Sequence, residues 1–463
     1  MAFLWNDATV RQALGMRVDL AQDGVEYGGV STDSRSVSEG DVYVALVGDR
    51  FDGHDFVADA FSKGAAAAVV SRPAAGDPAG RLYPVDDTLV ALGRLAAWRR
   101  QKLDAPVVAI TGSSGKTTTK EMTAAALSET YRVHATTGNL NNRIGMPLTL
   151  LATPEDVEAV VLELGTNEPG EIATLVQVAR PDIAVITTVG ESHLEKLGSL
   201  EGVLSEKLDI LRGMVDGGRC VVGDEPSVLA DRAHAICSTV KVVGWSERVD
   251  VDARAGNAEV DVFGRYSFDW RGQRVTAPMA GRHAVSNALL ALTVADLLDV
   301  APKDAVRGLG SARMGSMRGE FQRIGDLTLI VDCYNANPQS VRASLDVLED
   351  QAMTGRKVAI LGSMLELGDA GPELHADVFA DAVARDIDII VAIGAFADAA
   401  TRAGFRDDRV VSGDDWQAAY PALIERLEGG EVVLLKASRG IALEKILPRL
   451  HADFGTTVEP VED

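Results

Sequence analysis

The sequence predicts an α/β protein of three domains: a small mixed α/β N-terminal domain, a central P-loop domain on a parallel sheet, and a Rossmann-like C-terminal domain. Three observations lead there. A length of 463 residues suits about three domains. Short β-branched apolar runs alternate with helix-permissive stretches, as buried parallel strands and their crossovers do. One such run ends in a glycine-rich turn, Val107-Val-Ala-Ile-Thr-Gly-Ser-Ser-Gly-Lys-Thr-Thr-Thr-Lys120.

That turn carries the first chemistry. Gly112, Ser113, Ser114 and Gly115 are small enough for main-chain N–H groups to close on phosphate oxygens. The helix that follows points its positive end at the same place. Lys116 would reach the β- and γ-phosphates, and Thr117 would place a hydroxyl on Mg²⁺, with Thr118 beside it. Ile110 stands where the usual longer loop has its first glycine, so this is the shorter Gly-x-x-Gly-Lys-Thr form. The chain is therefore expected to bind ATP with Mg²⁺.

Composition narrows the class. The chain is 46% hydrophobic and 24% charged, as soluble globular proteins are. No apolar run approaches the ~20 residues of a membrane span, and the start, Met-Ala-Phe-Leu-Trp-Asn-Asp, lacks the pattern of a signal peptide. A net charge of −23 repels nucleic acid and anionic membrane, so neither is an expected partner. Cys220, Cys237 and Cys333 are scattered and odd in number, which fits a reducing cytosol and no disulfide framework. No Cys/His cluster has zinc spacing.

Taken in order, residues 1–104 form the first domain. Strands are expected at Val42–Leu46 and Ala67–Val70, a loop at Pro73–Pro78, and a helix over Leu89–Lys102, with a boundary near Asp104-Ala-Pro106. The polar turns Ser31-Thr-Asp-Ser-Arg35 and Phe51-Asp-Gly-His-Asp-Phe56 offer donors for a diphosphate or base.

The second domain covers 105–316. Strands Val107–Thr111, Ala159–Leu164 and Ile183–Val189 build the sheet. Ser246–Pro278 alternates in short antiparallel runs, and a helix fills Gly281–Asp299. Glu163 interrupts an apolar strand near its end, where a carboxylate is costly unless paired or metal-bound. Strand ends of a parallel sheet face the ligand crevice, so Glu163 reads as a Mg²⁺ ligand. His193 follows another strand end, and a metal or substrate role competes there with an ordinary loop histidine. On the helix Leu200–Met214, Lys207 lies along the stripe of Val203, Leu204, Leu208 and Leu211. Burial favours the neutral amine, which CO₂ can convert to a metal-binding carbamate. The competing reading is a lysine that snorkels from the stripe's edge.

The third domain, 317–463, has strands Leu327–Asp332, Lys357–Gly362, Ile387–Ile393 and Glu431–Lys436, expected as a second parallel sheet. Arg318 sits at the junction, where it could act on a γ-phosphate or form an interdomain ion pair. Two polar clusters follow strand ends: Asp332-Cys-Tyr-Asn-Ala-Asn-Pro338, in which Pro338 starts a helix, and Lys436-Ala-Ser-Arg-Gly440. Both read as ligand loops.

Over essentially the whole chain these segments resemble the Mur ligases of bacterial cell-wall synthesis. The resemblance rests on Thr32–Arg35, Phe51–His54, Thr111–Thr118, Thr137–Asn142 with Ile144–Pro147, Glu163–Asn167, Gly281–Asn287, Tyr334–Pro338, Met364–Gly368 and Lys436–Arg439. Tyr-Asn-Ala-Asn-Pro is similar to the pattern of the member that adds D-alanyl-D-alanine to UDP-N-acetylmuramoyl-tripeptide. The resemblance implies an ATP-dependent amide ligase, bacterial, cytoplasmic and monomeric, working through an acyl phosphate.

Residue by residue, the resemblance puts ATP on 112–118, with Asn287 on adenine, Asp332 on ribose and Arg318 on the transferred phosphoryl group. It implies a first Mg²⁺ on Thr117 and Glu163, and a second on His193 and carbamylated Lys207. Ser34, Arg35, Asp52, Gly53 and His54 would receive the UDP part, and Asn139 and Asn142 would lie near the muramoyl-peptide. Asn335, Asn337, Ser438 and Arg439 would serve the dipeptide side. One departure is visible: Ser363 stands where the family usually has aspartate. Alternatives are another ligase of this architecture, adding the third residue or resembling folylpolyglutamate synthase, and an ATP-driven switch that forms no amide bond.

Overall fold

The computed structural model describes residues 3–18, 26–73, 81–245, 250–352, 355–405 and 407–455. Most of the Pro73–Pro78 loop, and residues 246–249 of the expected antiparallel region, lie outside these.

The N-terminal sheet has four parallel strands in the order Val30–Ser31, Val42–Val44, Ala67–Val70 and Arg81–Pro84. A short antiparallel pair, Trp5–Asn6 with Glu26–Tyr27, flanks it. Buried Asp7 accepts from Tyr83 Oη at 2.6 Å and Arg11 Nε at 2.8 Å, so the carboxylate is compensated inside the core. Helix Thr88–Gln101 starts on Asp87, whose side chain accepts from Leu89 and Val90 N–H. Its last turn carries Arg99 and Arg100, which donate to Thr153 O, Ala179 O and Asp182 at 2.8–3.0 Å. These bonds dock the first sheet against the second.

The central sheet has six strands, all parallel, in the order Val240–Val243, Arg219–Gly223, Ile183–Ile186, Val107–Thr111, Ala159–Glu163 and Val133–Ala135. Val107–Thr111 lies between the strands that carry Glu163 and lead to His193. That is where the connections diverge to opposite sides, and where α/β sheets open a crevice. The expected strand Ile183–Val189 ends three residues early, because Thr187 and Thr188 turn toward the phosphate loop. Thr187 Oγ1 donates to Ser114 O at 2.5 Å, and Ser113 N to Thr188 O at 2.8 Å. Strands Gly256–Val260, Arg265–Trp270 and Gln273–Ala280 form the expected antiparallel unit, followed by helix Arg282–Leu297.

The C-terminal sheet also has six strands: Glu320–Ile324, Leu327–Asp332, Val432–Lys436, Lys357–Leu361, Ile389–Ile393 and Val410–Gly413. It is mixed rather than purely parallel. Glu320–Ile324 pairs antiparallel at the edge through a Gly325-Asp326 hairpin turn, with Gly325 at φ +57°. Gly-Asp between two short runs is a hairpin signal that the sequence carried. The last strand inserts between Leu327–Asp332 and Lys357–Leu361, which sets Asp332 level with Lys436.

Candidate active site

A cleft of about 1260 Å³ opens where the strand ends of the central and C-terminal sheets meet. Ser113–Thr118, Asn139, Asn142, Glu163, His193, Asn287, Arg318, Asp332, Asn335, Asn337 and Arg439 all line it. Each is singled out by a motif of the sequence or by the family resemblance. Gly112, Ser34, Arg35, Asp52, Gly53, His54, Ser438 and Lys207 are not among its lining residues.

The loop's backbone requires its glycines. Gly112 has φ +150°, and a Cβ there would lie 2.0 Å from Thr187 Oγ1; Gly115 has φ +80°, and its Cβ would lie 2.6 Å from Asn287 Oδ1. Ser113 braces the loop: its hydroxyl donates to Gly190 O and accepts from Gly190 N, both at 3.0 Å. Lys116 Nζ donates to Gly112 O at 2.7 Å. Burial pulls the Lys116 pKa down, while Glu163 pushes it up and Arg318 pulls it down. These three charged groups therefore share one electrostatic neighbourhood.

Glu163 ends its strand at 1% exposure. Oε1 accepts from Asn141 Nδ2 at 2.7 Å, and Oε2 is buried without a partner. Lys207 is fully buried on helix Leu200–Arg212, and its Nζ likewise has no partner. Burial, and then the Lys116 charge, hold its pKa well below the usual lysine value. The orphaned carboxylate oxygen of Glu163, with Thr117 beside the same cleft, fits a divalent ion, and the orphaned Lys207 amine fits carbamylation. His193 is oriented elsewhere. It sits at φ +53° and places Nδ1 2.5 Å from Glu366 Oε2 of the C-terminal unit, off the hydrogen-bond axis. Among the described residues no three His, Cys, Asp or Glu side chains cluster as a ready metal site.

The C-terminal unit supplies the opposite wall. Arg318 lies with its guanidinium carbon 3.9 Å from the Tyr334 ring centre, a cation–π stack. Asp332 accepts from Lys436 Nζ at 2.8 Å and from Ser344 Oγ at 2.6 Å. Burial alone would raise the Asp332 pKa, but Lys436 and the two hydrogen bonds bring it below the usual carboxylate value. Asn337 caps helix Pro338–Glu349 through Ser340 N and donates from Nδ2 to Ser114 Oγ at 3.1 Å, touching the phosphate loop across the junction. Asn335 Oδ1 accepts from Ala336 N at 2.9 Å. Buried Ser438 donates to Ala336 O and accepts from Leu365 N, so it braces two loops. Arg439 pairs with Glu444 at 3.0 Å. Ser363 Oγ accepts from Ala395 N at 2.9 Å, which gives this position a local role as a hydroxyl.

The N-terminal turns form a separate cluster. Asp52 accepts from His54 N and Nδ1 and pairs with Arg72 at 2.8 Å, and His54 Nε2 accepts from Ser71 N. A Cβ on Gly53 would lie 2.7 Å from Leu46 O. Ser34 is buried, while Arg35 is exposed against Asp33, whose carboxyl it lowers to about 2.

Sequence reasoning missed Asn141, Glu366, Tyr334 and Gln339, which accepts from Thr188 Oγ1 at 3.1 Å. All but Gln339 stood inside quoted motifs, yet their spacing alone gave them no partner.

Profiles of three segments match the chain: "Mur ligase family, catalytic domain" over residues 26–100, "Mur ligase middle domain" over 110–295, and "Mur ligase, glutamate ligase domain" over 317–439. A Bacillus subtilis (strain 168) protein named UDP-N-acetylmuramoyl-tripeptide–D-alanyl-D-alanine ligase is 39% identical over 430 residues, covering 91% of this chain and 93% of that one. A crystal structure of MurF from Acinetobacter baumannii superposes with a TM-score of 0.88 at 32% identity, covering 97% and 99%. The MurF ligase of Thermotoga maritima, in complex with ADP, gives 0.81 at 28% identity, covering 92% and 97%.

Proposed function

The chain belongs to the Mur ligase family, and on that premise we propose that it joins D-alanyl-D-alanine to UDP-N-acetylmuramoyl-tripeptide at the expense of ATP, giving the pentapeptide. The observation that carries this reading is the Asn337–Ser114 contact. It sets the phosphate loop against the loop on the dipeptide side, within one cleft and one chain.

The tripeptide's terminal carboxylate oxygen attacks the γ-phosphorus of ATP, and ADP departs, leaving an acyl phosphate. The amine of D-alanyl-D-alanine then attacks the acyl carbon. The tetrahedral intermediate loses phosphate and a proton, and an amide remains. Phosphorylation turns a poor leaving oxygen into a good one, so the protein's work is positioning and charge neutralisation. Loop N–H groups and Lys116 hold the phosphates, and Arg318 approaches the transferred group from the facing unit. Asn287 reaches adenine and Asp332 the ribose. Asn139 and Asn142 hold the muramoyl-peptide, while the turns at Ser34–Arg35 and Asp52–His54 take the UDP end. Asn335, Ser438 and Arg439 shape the dipeptide side.

We assign Mg²⁺ to Thr117 and Glu163, and a second ion to carbamylated Lys207 with His193 once that ring leaves Glu366. Bound there, the ions would supply positive charge to neutralise the reacting phosphate and carboxylate oxygens. On this reading residues 1–104, 105–316 and 317–463 are the UDP-, ATP- and dipeptide-binding domains. The enzyme acts as a monomer in the bacterial cytoplasm, where its nucleotide-linked substrate and ATP are found. No described helix is long and apolar enough to cross a membrane.

The test is ADP release together with mass detection of product. Pentapeptide formed from UDP-muramoyl-tripeptide and D-alanyl-D-alanine is the expected result. Turnover with a single amino acid but not with the dipeptide would overturn the assignment. ADP release without an amide product would favour the switch.

A further inference from the structure

Lys120 is a second fully buried lysine, and the chemistry above does not use it. It lies one turn after Lys116 on helix Lys116–Ser128. Its Nζ donates to Thr136 O at 2.7 Å and pairs with Glu121 Oε1 at 2.5 Å. The Glu121 side chain is 32% exposed, so the ion pair is only half inside. A buried ammonium costs free energy that a similar-sized apolar side chain would not, so stability alone does not account for it.

What it grips is informative. Thr136 is held from three directions: its O by Lys120, its N donating to Val161 O at 2.9 Å, and its Oγ1 accepting from Glu163 N at 3.0 Å. The chain then passes through Gly138, at φ +58°, into Asn139–Asn142. Asn141 returns to the same glutamate: Nδ2 donates to Glu163 Oε1, and Asn141 O accepts from Gly165 N at 2.8 Å. Glu163 is thus clamped at backbone and side chain by the segment whose root Lys120 anchors, and its Oε2 is left without a partner.

We propose that Lys120 is a positioning residue that ties the phosphate-loop helix to the 136–142 segment, so that the Glu163 carboxylate and the peptide-side asparagines are set together. The inference rests on the ligase reading of this cleft. It makes Thr136 the relay: loss of the Lys120 grip loosens Glu163 and Asn139–Asn142 jointly, while the C-terminal dipeptide side is untouched.

The test uses the full chain and Lys120→Met, which keeps the volume and removes the charge. Mn²⁺ affinity is measured by electron paramagnetic resonance, with a non-hydrolysable ATP analogue bound and no turnover. KM is measured for each substrate, with the melting temperature alongside. The expected result is Mn²⁺ affinity weakened and KM for the UDP-tripeptide raised, each by about 10- to 100-fold as for other outer-shell partners. KM for D-alanyl-D-alanine should stay within about twofold of wild type, well below that outer-shell effect. Thr136→Val keeps the fold's shape, removes the hydroxyl that holds Glu163 N, and should weaken Mn²⁺ in the same direction. It carries the test where Lys120→Met does not fold. Wild-type ligation with unchanged Mn²⁺ affinity and KM in the variants overturns the relay, as does a uniform loss across all three substrates that tracks melting temperature. A wild-type chain that makes no pentapeptide overturns the ligase reading instead.

Discussion

Lys207 is a buried ionisable group and Asp332 a half-buried one, and their surroundings treat them oppositely. Lys207 has no partner and sits near Lys116, so burial and like charge both disfavour its cation. Lys207→Ala should therefore cost little stability yet reduce ligation at least about 10²-fold, as the loss of a preorganised charge in such a site does. Added short carboxylic acids should restore part of the rate in a product assay; full activity of the variant would rule the carbamate out. Asp332 has its charge matched by Lys436. Its folded pKa lies below the ordinary value of 3.8. The carboxylate therefore contributes stability above that value and loses it as pH falls through the folded pKa. Melts of wild type and Asp332→Asn should differ at pH 6, and the gap should begin to close only as pH falls below about 4, toward the folded pKa. A gap that does not narrow at all as pH falls from about 4 toward about 2 would mean that shape, rather than charge, stabilises the wild type.

The phosphate loop and the helix that faces it each have one residue that decides their function as elements. Gly112→Ala would place a methyl group against Thr187 in a backbone region costly for side chains. Binding of an ATP analogue, measured by calorimetry, should weaken at least about tenfold, because tight van der Waals packing leaves the added carbon no room. At the start of helix Pro338–Glu349, Asn337 has two tasks: capping through Oδ1, and reaching Ser114 Oγ, to which Nδ2 donates at 3.1 Å and from which Oδ1 accepts at 3.3 Å. Serine can cap but lacks the amide nitrogen that reaches Ser114. Asn337→Ser should keep stability within about 0.5 kcal/mol, since serine and asparagine cap comparably. Its kcat/KM should still drop. An unchanged kcat/KM would show that the contact is incidental. These elements were legible because strand, glycine turn, helix and proline at a helix start are written in neighbouring residues. The antiparallel edge strand Glu320–Ile324 was missed because two of its five side chains are charged and it sits at a sheet edge, where apolar patterning fades.

Across the whole molecule, the cleft draws its walls from two sheets, so a ligand that spans it should couple their unfolding. An ATP analogue at 100 times its Kd should stabilise the protein by about 2.7 kcal/mol and shift the central and C-terminal transitions together in scanning calorimetry. Movement of the central transition alone would mean that the C-terminal wall takes no part in binding. The sequence by itself determined the α/β class, the phosphate loop, the strand-end location of Glu163, and the placement of Lys207 on its helix stripe, while its burial there, rather than snorkelling, was decided by the structure. Each depends on spacing within about a dozen residues, the range over which helix and strand periodicity act. Only the tertiary structure decided that Asp332 meets Lys436, 104 residues away, because the last strand inserts beside the first long one. It also decided that His193 meets Glu366, that Asn141 turns back to Glu163, and that Asn337 touches Ser114 across 223 positions. Strand order and the seating of one sheet on another come from packing between distant surfaces, which no local periodicity encodes.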